Sequence, residues 1–243
     1  MLRSVPEPGG ERREDRGAAC VLGVCDGSGW ILQEDNTARP CDCQARRIGK
    51  AVSTRLGTRI PKRFQGVSFD RKPISDLDTS VLREVRRYVE QVDARLDAGD
   101  GYWFFGDTGT GKTSLAMLIS RKALEAGRSV AIYSVPVLLT RIRATYGEGS
   151  SFSYLELFEH LCSVDLLQLD DIGAENVTPW VAEQLYSIVN ERWQDKRSVI
   201  VTSNLHDRDA LSEQVGGRTL SRLDEMCEAI PVMGPDLRLA PGG

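Results

Sequence analysis

Gly106-Asp107-Thr108-Gly109-Thr110-Gly111-Lys112-Thr113 fits G-x-x-x-x-G-K-[ST] in full, and Ser114 follows it into an apolar stretch. Glycines let a backbone curl until several N–H groups point inward, and a helix N-terminus behind them adds partial positive charge. Phosphate oxygens are the natural guests of such a loop. Lys112 supplies a mobile cation for β- and γ-phosphates, and the Thr113 hydroxyl can ligate Mg2+. A second set of oxygens closes Val164-Asp165-Leu166-Leu167-Gln168-Leu169-Asp170-Asp171, an apolar run ending in two acids. Asp170 is expected to hold Mg2+ through water, because Mg2+ prefers oxygen ligands and keeps much of its shell. Asp171 is expected to orient and polarise an attacking water. Taken alone, the pair also reads as an ordinary strand end with surface acids. A third run, Ser198 to Asn204, ends in polar residues, and Asn204 can donate to a γ-phosphate or the attacking water; as a lone residue it also reads as a turn asparagine.

Four cysteines, Cys20, Cys25, Cys41 and Cys43, fall in the pattern C-x4-C-x15-C-x-C. Four thiolates make a tetrahedral Zn2+ set, and Gly23, Gly27 and Gly29 permit knuckle-like turns. The segment has few large apolar residues, and a structural zinc supplies about 10–16 kcal/mol of apparent binding energy in small fingers. The spacing is imperfect for zinc, and two disulfides or free thiols are the competing readings. Cys162 and Cys227 lie in apolar sequence and read as small buried hydrophobes.

The elements needed to place these groups alternate. Apolar runs at Tyr102–Phe105, Ser129–Ser134, Asp165–Leu169, Ser198–Thr202 and Ala229–Met233 predict strands. Helices are expected over about 112–126, 136–145, 153–162, 179–194 and 207–214. That alternation predicts a parallel sheet covered by helices on both faces, with the acids delivered at strand C-termini beside the phosphate loop. Before Gly99, Val81, Val85, Val89, Val92 and Leu96 recur at helical spacing and predict one helix over 79–98. Residues 45–72 are basic, with Asp70 their only acid. Residues 1–19 hold little to bury and read as a flexible tail.

Composition sets the outer limits. Hydrophobic residues are 41% and charged residues 27%, so the chain can build a core and is not disordered throughout. A net charge of −4 argues against coating nucleic acid through charge alone, although a local basic strip is compatible with it. No apolar run approaches the ~18–20 residues of a membrane helix, and the N-terminus has no apolar signal core. A cytoplasmic protein with no membrane partner is expected.

With these motifs in order, the chain resembles the AAA+ ATPases. More narrowly it resembles bacterial replicative-helicase loaders of the DnaC/DnaI type, related to IstB-like ATPases. The resemblance spans about residues 20–238. It is carried by the cysteine cluster with Cys41-Asp42-Cys43, Ile60-Pro61-Lys62-Arg63-Phe64, the phosphate loop, Leu169-Asp170-Asp171-Ile172-Gly173, Thr202-Ser203-Asn204 and Gly217-Arg218-Thr219-Leu220-Ser221-Arg222-Leu223. It implies an α/β P-loop AAA+ three-layer sandwich, preceded by a small zinc-binding module; with the chain ending at Gly243, the helical lid of larger relatives is expected to be missing. The corresponding domains are a tail (1–19), the zinc module (20–44), a basic linker and helix (45–98) and the ATPase domain (99–243).

The resemblance also implies ATP and Mg2+ as ligands, hydrolysis, and a trans-acting arginine that reaches a neighbouring copy's γ-phosphate in a ring or spiral. Ser221-Arg222-Leu223 matches that element best, with Arg218 the fallback, and a solvated helix charge is the plain alternative. Arg238, in Gly234-Pro235-Asp236-Leu237-Arg238, resembles a second sensor arginine, though a tail arginine reads nearly as well. Many related ATPases carry Glu where this chain has Asp171; the shorter acid requires the water to sit closer or a shifted backbone to reach it. The implied partners are a hexameric replicative DNA helicase, gripped by the zinc module, and single-stranded DNA. Trp30 and Ile31 read either as partner-facing or as that module's miniature core. Candidates for DNA are the 45–72 stretch and Arg141, Arg143 and Tyr146, which otherwise form a solvated face. His160 and His206 have no metal-ligand spacing, and Trp180, Tyr186 and Trp193 read as packing. The rival functions are an IstB-type transposition helper and a zinc adaptor that binds nucleotide without hydrolysing it; a P-loop kinase is disfavoured by the paired acids and the polar strand tip.

Overall fold

A computed structural model describes residues 20, 22–41, 43–44, 60–147, 153–174 and 178–238. The tail over 1–19 and the first part of the basic stretch, 45–59, lie outside the described residues. The chain divides between Ala45 and Arg46 into two compact units.

In the first unit, β1 (Trp30–Leu32) pairs antiparallel with β2 (Ala38–Pro40), Ile31 opposite Arg39. Asn36, at φ 61°, makes the reversal, a conformation Asn tolerates better than most residues. Strands of three residues are too short to show an alternating pattern, and the sequence did not announce this hairpin.

In the second unit, β3 (Gly101–Phe105), β4 (Val130–Ser134), β5 (Leu166–Asp170), β6 (Ser198–Ser203) and β7 (Cys227–Pro231) form a parallel sheet ordered β4-β5-β6-β3-β7. The expected α/β layering is therefore present. The helices are α1 (Thr79–Glu90), α2 (Val92–Ala98), α3 (Lys112–Glu125), α4 (Val135–Ala144), α5 (Tyr154–Ser163), α6 (Pro179–Gln194), α7 (Arg208–Val215) and α8 (Gly217–Met226). Strand alternation sorts the core into two layers. Trp103, Leu167, Leu169, Val199 and Val201 face α4–α8, whereas Tyr102, Phe104, Leu166 and Ile200 face α1–α3.

Three differences from the sequence reading have physical causes. The 79–98 helix breaks at Gln91 (φ −112°, ψ 24°), yet Val81, Val85, Val92 and Leu96 still bury one continuous face. The last strand is read two residues too late, because its ladder begins where Cys227 registers with Gly101. Residues 60–98, expected as linker and helix ahead of the ATPase domain, pack Ile60, Val67, Ile74, Val85 and Tyr88 into the same layer as Phe104 and Leu115. Helix α8 was not assigned as an element from sequence. Its buried face is the narrow set Thr219, Leu220 and Leu223.

Candidate functional site

The loop from Gly106 to Gly111 joins β3 to α3. Gly106, Gly109 and Gly111 adopt φ of 146°, 83° and 99°. Close approach also demands them: a Cβ at Gly106 would overlap the Val232 carbonyl, and one at Gly109 the Asp236 carboxylate. The Thr110 hydroxyl donates to the Asp107 carbonyl at 2.9 Å and holds the curl. Lys112 is buried, its Nζ donating to the carbonyls of Gly106 (2.8 Å) and Asp107 (2.6 Å). Burial draws its pKa down, against the pull of Asp171 and Asp107. A phosphate oxygen would compete with those carbonyls for the same ammonium.

Strand β5 ends with Asp170 beside the first turn of α3. The Thr113 hydroxyl donates to Asp170 Oδ2 at 3.3 Å, and the Thr202 hydroxyl donates to Oδ1 at 2.8 Å. Burial raises the Asp170 pKa, and the Thr202 hydrogen bond opposes the rise. Thr113 and Asp170 offer adjacent oxygens of the kind Mg2+ takes. Asp171 sits at φ 56°, in the left-handed region, with its N–H donating to Thr202 Oγ1 at 2.9 Å. Strand β6 then delivers Asn204 to the same opening.

These groups share one cavity of about 840 Å3. Thr108, Gly109, Gly111, Lys112, Thr113 and Ser114 line it with Asp170, Asp171 and Asn204. Gly106, Asp107 and Thr110 shape the loop from behind. Phe64, Val67, Pro73 and Leu237 add an apolar lining, with Arg63, Lys72 and Arg238 among the cations there. Arg238 is thus brought to the cavity, while the apolar wall was not assigned from sequence; its signal was the quoted segment Ile60 to Phe64. The Leu237 N–H donates to the Gly109 carbonyl at 3.0 Å and ties the C-terminal segment across the loop. Thr202, the other residue sequence reading missed, resembles any β-branched strand residue until the register sets it between the acids.

Arg222 is not among the cavity's lining residues. Its guanidinium lies 3.7 Å from the Trp193 ring centre, donates to Asn190 Oδ1 at 3.3 Å and pairs with Glu225 Oε1 at 3.1 Å. Arg218 lies over Tyr186 at 4.5 Å. Of the aromatics read as packing, Tyr186 and Trp193 therefore face arginines, and Trp180 takes Arg143 at 4.7 Å. Tyr146 is exposed and stacks on Tyr154, 5.9 Å between centres. His206 reaches from the β6–α7 connection to Asp107 Oδ1 at 3.0 Å. His160 is buried, and neither ring nitrogen has a hydrogen-bond partner among the described residues.

In the first unit, the sulfurs of Cys20, Cys25, Cys41 and Cys43 lie within 4.8 Å of one another. Cys20–Cys41 and Cys25–Cys43 measure 3.9 and 3.5 Å, far beyond a disulfide bond. A tetrahedron with Zn–S of ~2.3 Å has sulfur edges of about 3.8 Å, so the set fits a four-thiolate zinc site. The backbone N–H of Cys25 leads the groups that pull the Cys20 pKa down to about 6, and burial pushes the Cys43 thiol up. Four thiols this close cannot all ionise without a cation between them. Trp30 and Leu32 project from one face of the hairpin and are 48% and 71% exposed, so Trp30 is not a core residue of this unit.

Among known proteins, the replicative helicase loader DnaC of Buchnera aphidicola subsp. Acyrthosiphon pisum is 30% identical over 165 residues, covering 68% of this chain and 65% of that protein. The chain therefore aligns with somewhat under two thirds of that relative's length. The crystal structure of the DnaC helicase loader superposes with a TM-score of 0.61 at 24% identity, covering 71% of this chain and all of that one. The replication initiator DnaA, solved with AMPPCP and single-stranded DNA, superposes at 0.60 with 19% identity over 72% of this chain and 51% of its own. Both share the fold. The family model for IstB-like ATP binding proteins matches residues 45–240, which is most of the chain and the whole of its nucleotide-type site, and the chain belongs to that family.

Proposed function

We propose that this protein is an ATPase that loads a hexameric replicative DNA helicase onto DNA. The observation that carries the reading is the convergence of Lys112, Thr113, Asp170, Asp171 and Asn204 on one cavity, in a chain 30% identical to a replicative helicase loader. Loop N–H groups and Lys112 bind the phosphates. Thr113 and Asp170 would hold Mg2+, which would supply charge neutralisation at the phosphates. Asp171 orients the attacking water, and Asn204 reads the presence of the γ-phosphate. Arg238 stands at the cavity edge as a second sensor.

Arg222, turned onto Trp193 rather than into its own cavity, serves the γ-phosphate of a neighbouring copy in a ring or spiral, because a guanidinium can bridge two oxygens of the developing charge. The Cys20–Cys25–Cys41–Cys43 unit binds Zn2+ and presents the Trp30 face to the helicase. Arg141, Arg143 and Tyr146 offer cations and a stacking platform to single-stranded DNA.

Native mass spectrometry of the protein mixed with a replicative helicase, with ATP and with a chelator, tests the reading. A complex that needs bound zinc is expected. No complex under any condition, with zinc still present, would overturn the loader assignment and leave the nucleotide site standing. That outcome would favour the second reading, an IstB-type transposition helper, with which the IstB-like family match over residues 45–240 agrees.

A further inference from the structure

Thr202 is fully buried at the penultimate position of β6, and one hydroxyl there does two things. It donates its only proton to Asp170 Oδ1 at 2.8 Å and accepts the Asp171 N–H at 2.9 Å. With Oδ1 engaged, the Asp170 side-chain torsions are restrained, and its second oxygen, Oδ2, faces the Thr113 hydroxyl at 3.3 Å. A buried carboxylate without the first contact has several rotamers and no reason to prefer this one. The acceptor half of the same hydroxyl anchors Asp171 at φ 56°, a conformation that costs energy for a non-glycine residue and persists only where neighbours impose it. The Ile172 N–H adds a backbone tie to the Thr202 carbonyl at 2.9 Å, so the chain after β5 is fastened to β6 at this level.

We propose that Thr202 is the positioning residue of the metal site: it aims Asp170 Oδ2 at the cation held with Thr113 and, through the same oxygen, fixes the backbone that carries Asp171. The inference rests on the reading of Asp170 as the metal acid. Hydrogen-bond partners one step removed from a metal are typically worth about 10–100-fold in metal affinity. Metal affinity, rather than nucleotide affinity as such, is therefore the quantity Thr202 controls.

Thr202→Val keeps the branched shape and strand preference and removes both hydrogen bonds. Thr202→Ser keeps the hydroxyl. The experiment titrates Mg2+ into each full-length protein with a fluorescent ATP analogue, and measures analogue affinity separately in EDTA. Thr202→Val is expected to raise the Mg2+ concentration at half effect about tenfold or more. Its EDTA affinity should match wild type, and Thr202→Ser should restore the Mg2+ response. An unchanged Mg2+ midpoint in Thr202→Val would overturn the proposal. So would an equal loss in EDTA, which marks general damage to the site, or a serine variant that behaves like valine. A wild-type protein that binds the analogue with no Mg2+ response would overturn the metal reading of Asp170, and the proposal with it.

Discussion

Replacing Arg192 should loosen the sheet from the end opposite the nucleotide site. Arg192 lies on α6, is fully buried, and spends its guanidinium on five backbone carbonyls. Nη1 donates to Leu161 (2.7 Å), Cys162 (3.2 Å) and Val164 (2.9 Å), at the end of α5 and the approach to β5. Nη2 donates to Asp165 (3.2 Å) and Ser198 (2.6 Å), where β5 and β6 begin. The two strands that carry Asp170 and Thr202 are thus joined at their starts by one cation. Arg192→Met keeps the length and apolar stem and leaves five acceptors short of a donor. The two terminal nitrogens carry four N–H between them, so one contact is shared; at about 1 kcal/mol for each hydrogen bond lost the gross loss is about 4 kcal/mol, and relief from burying a charge returns part of it. A net loss of about 3 kcal/mol corresponds to a fall in Tm of about 6–12 °C for a domain of this size. Arg192→Lys can donate three hydrogen bonds at most and should recover part of the loss. Urea denaturation and calorimetry measure both. A methionine variant within about 1 kcal/mol of wild type would refute the reasoning, because the five carbonyls would then be satisfied without the guanidinium.

Burial lowers the His160 pKa to about 4, with Arg192 adding to the effect, so the ring folds neutral. The unfolded ring protonates near pH 6.5, so stability from this residue is intact above that pH and falls as pH drops toward 4, by about 2 kcal/mol at pH 5; denaturant midpoints at pH 7.5 and 5 should show that slope in wild type, and a His160→Met variant with the same slope would contradict it. Cys43→Ser should abolish one bound zinc per chain by elemental analysis and release the remaining thiols to titrating reagent, and full zinc retention would show that the four sulfurs are not the site. Gly109→Ala forces both a strained φ and an overlap with Asp236, so nucleotide affinity should fall at least tenfold by fluorescence titration, and unchanged affinity would mean that the loop rearranges freely. Arg222→Ala should leave nucleotide affinity intact and cut hydrolysis by about 10³ in the assembled state; if Arg218→Ala has that effect instead, the trans arginine lies one turn earlier on α8.

The residues that line the candidate site were legible because each depends on local chain geometry. Gly106 to Thr113 encode their own curl, and an apolar run that ends in Asp170-Asp171 encodes a buried strand with its acids at the rim. What the sequence hid was lateral. Nothing local says that β6 inserts between β3 and β5, yet that insertion turns an ordinary strand threonine into a link between the two acids. The apolar cavity lining was hidden for the same reason: Phe64, Val67 and Pro73 lie well before the loop in the chain and reach it only because residues 60–98 join the core beside α3. Asp171 shows where the two kinds of information meet. Its identity is visible in the sequence; its φ of 56° is not, and the hydrogen bond that holds that backbone comes from a strand that no local pattern places beside it. In this chain, then, the residue types of the candidate site are written along the sequence, whereas their alignment is a property of strand order.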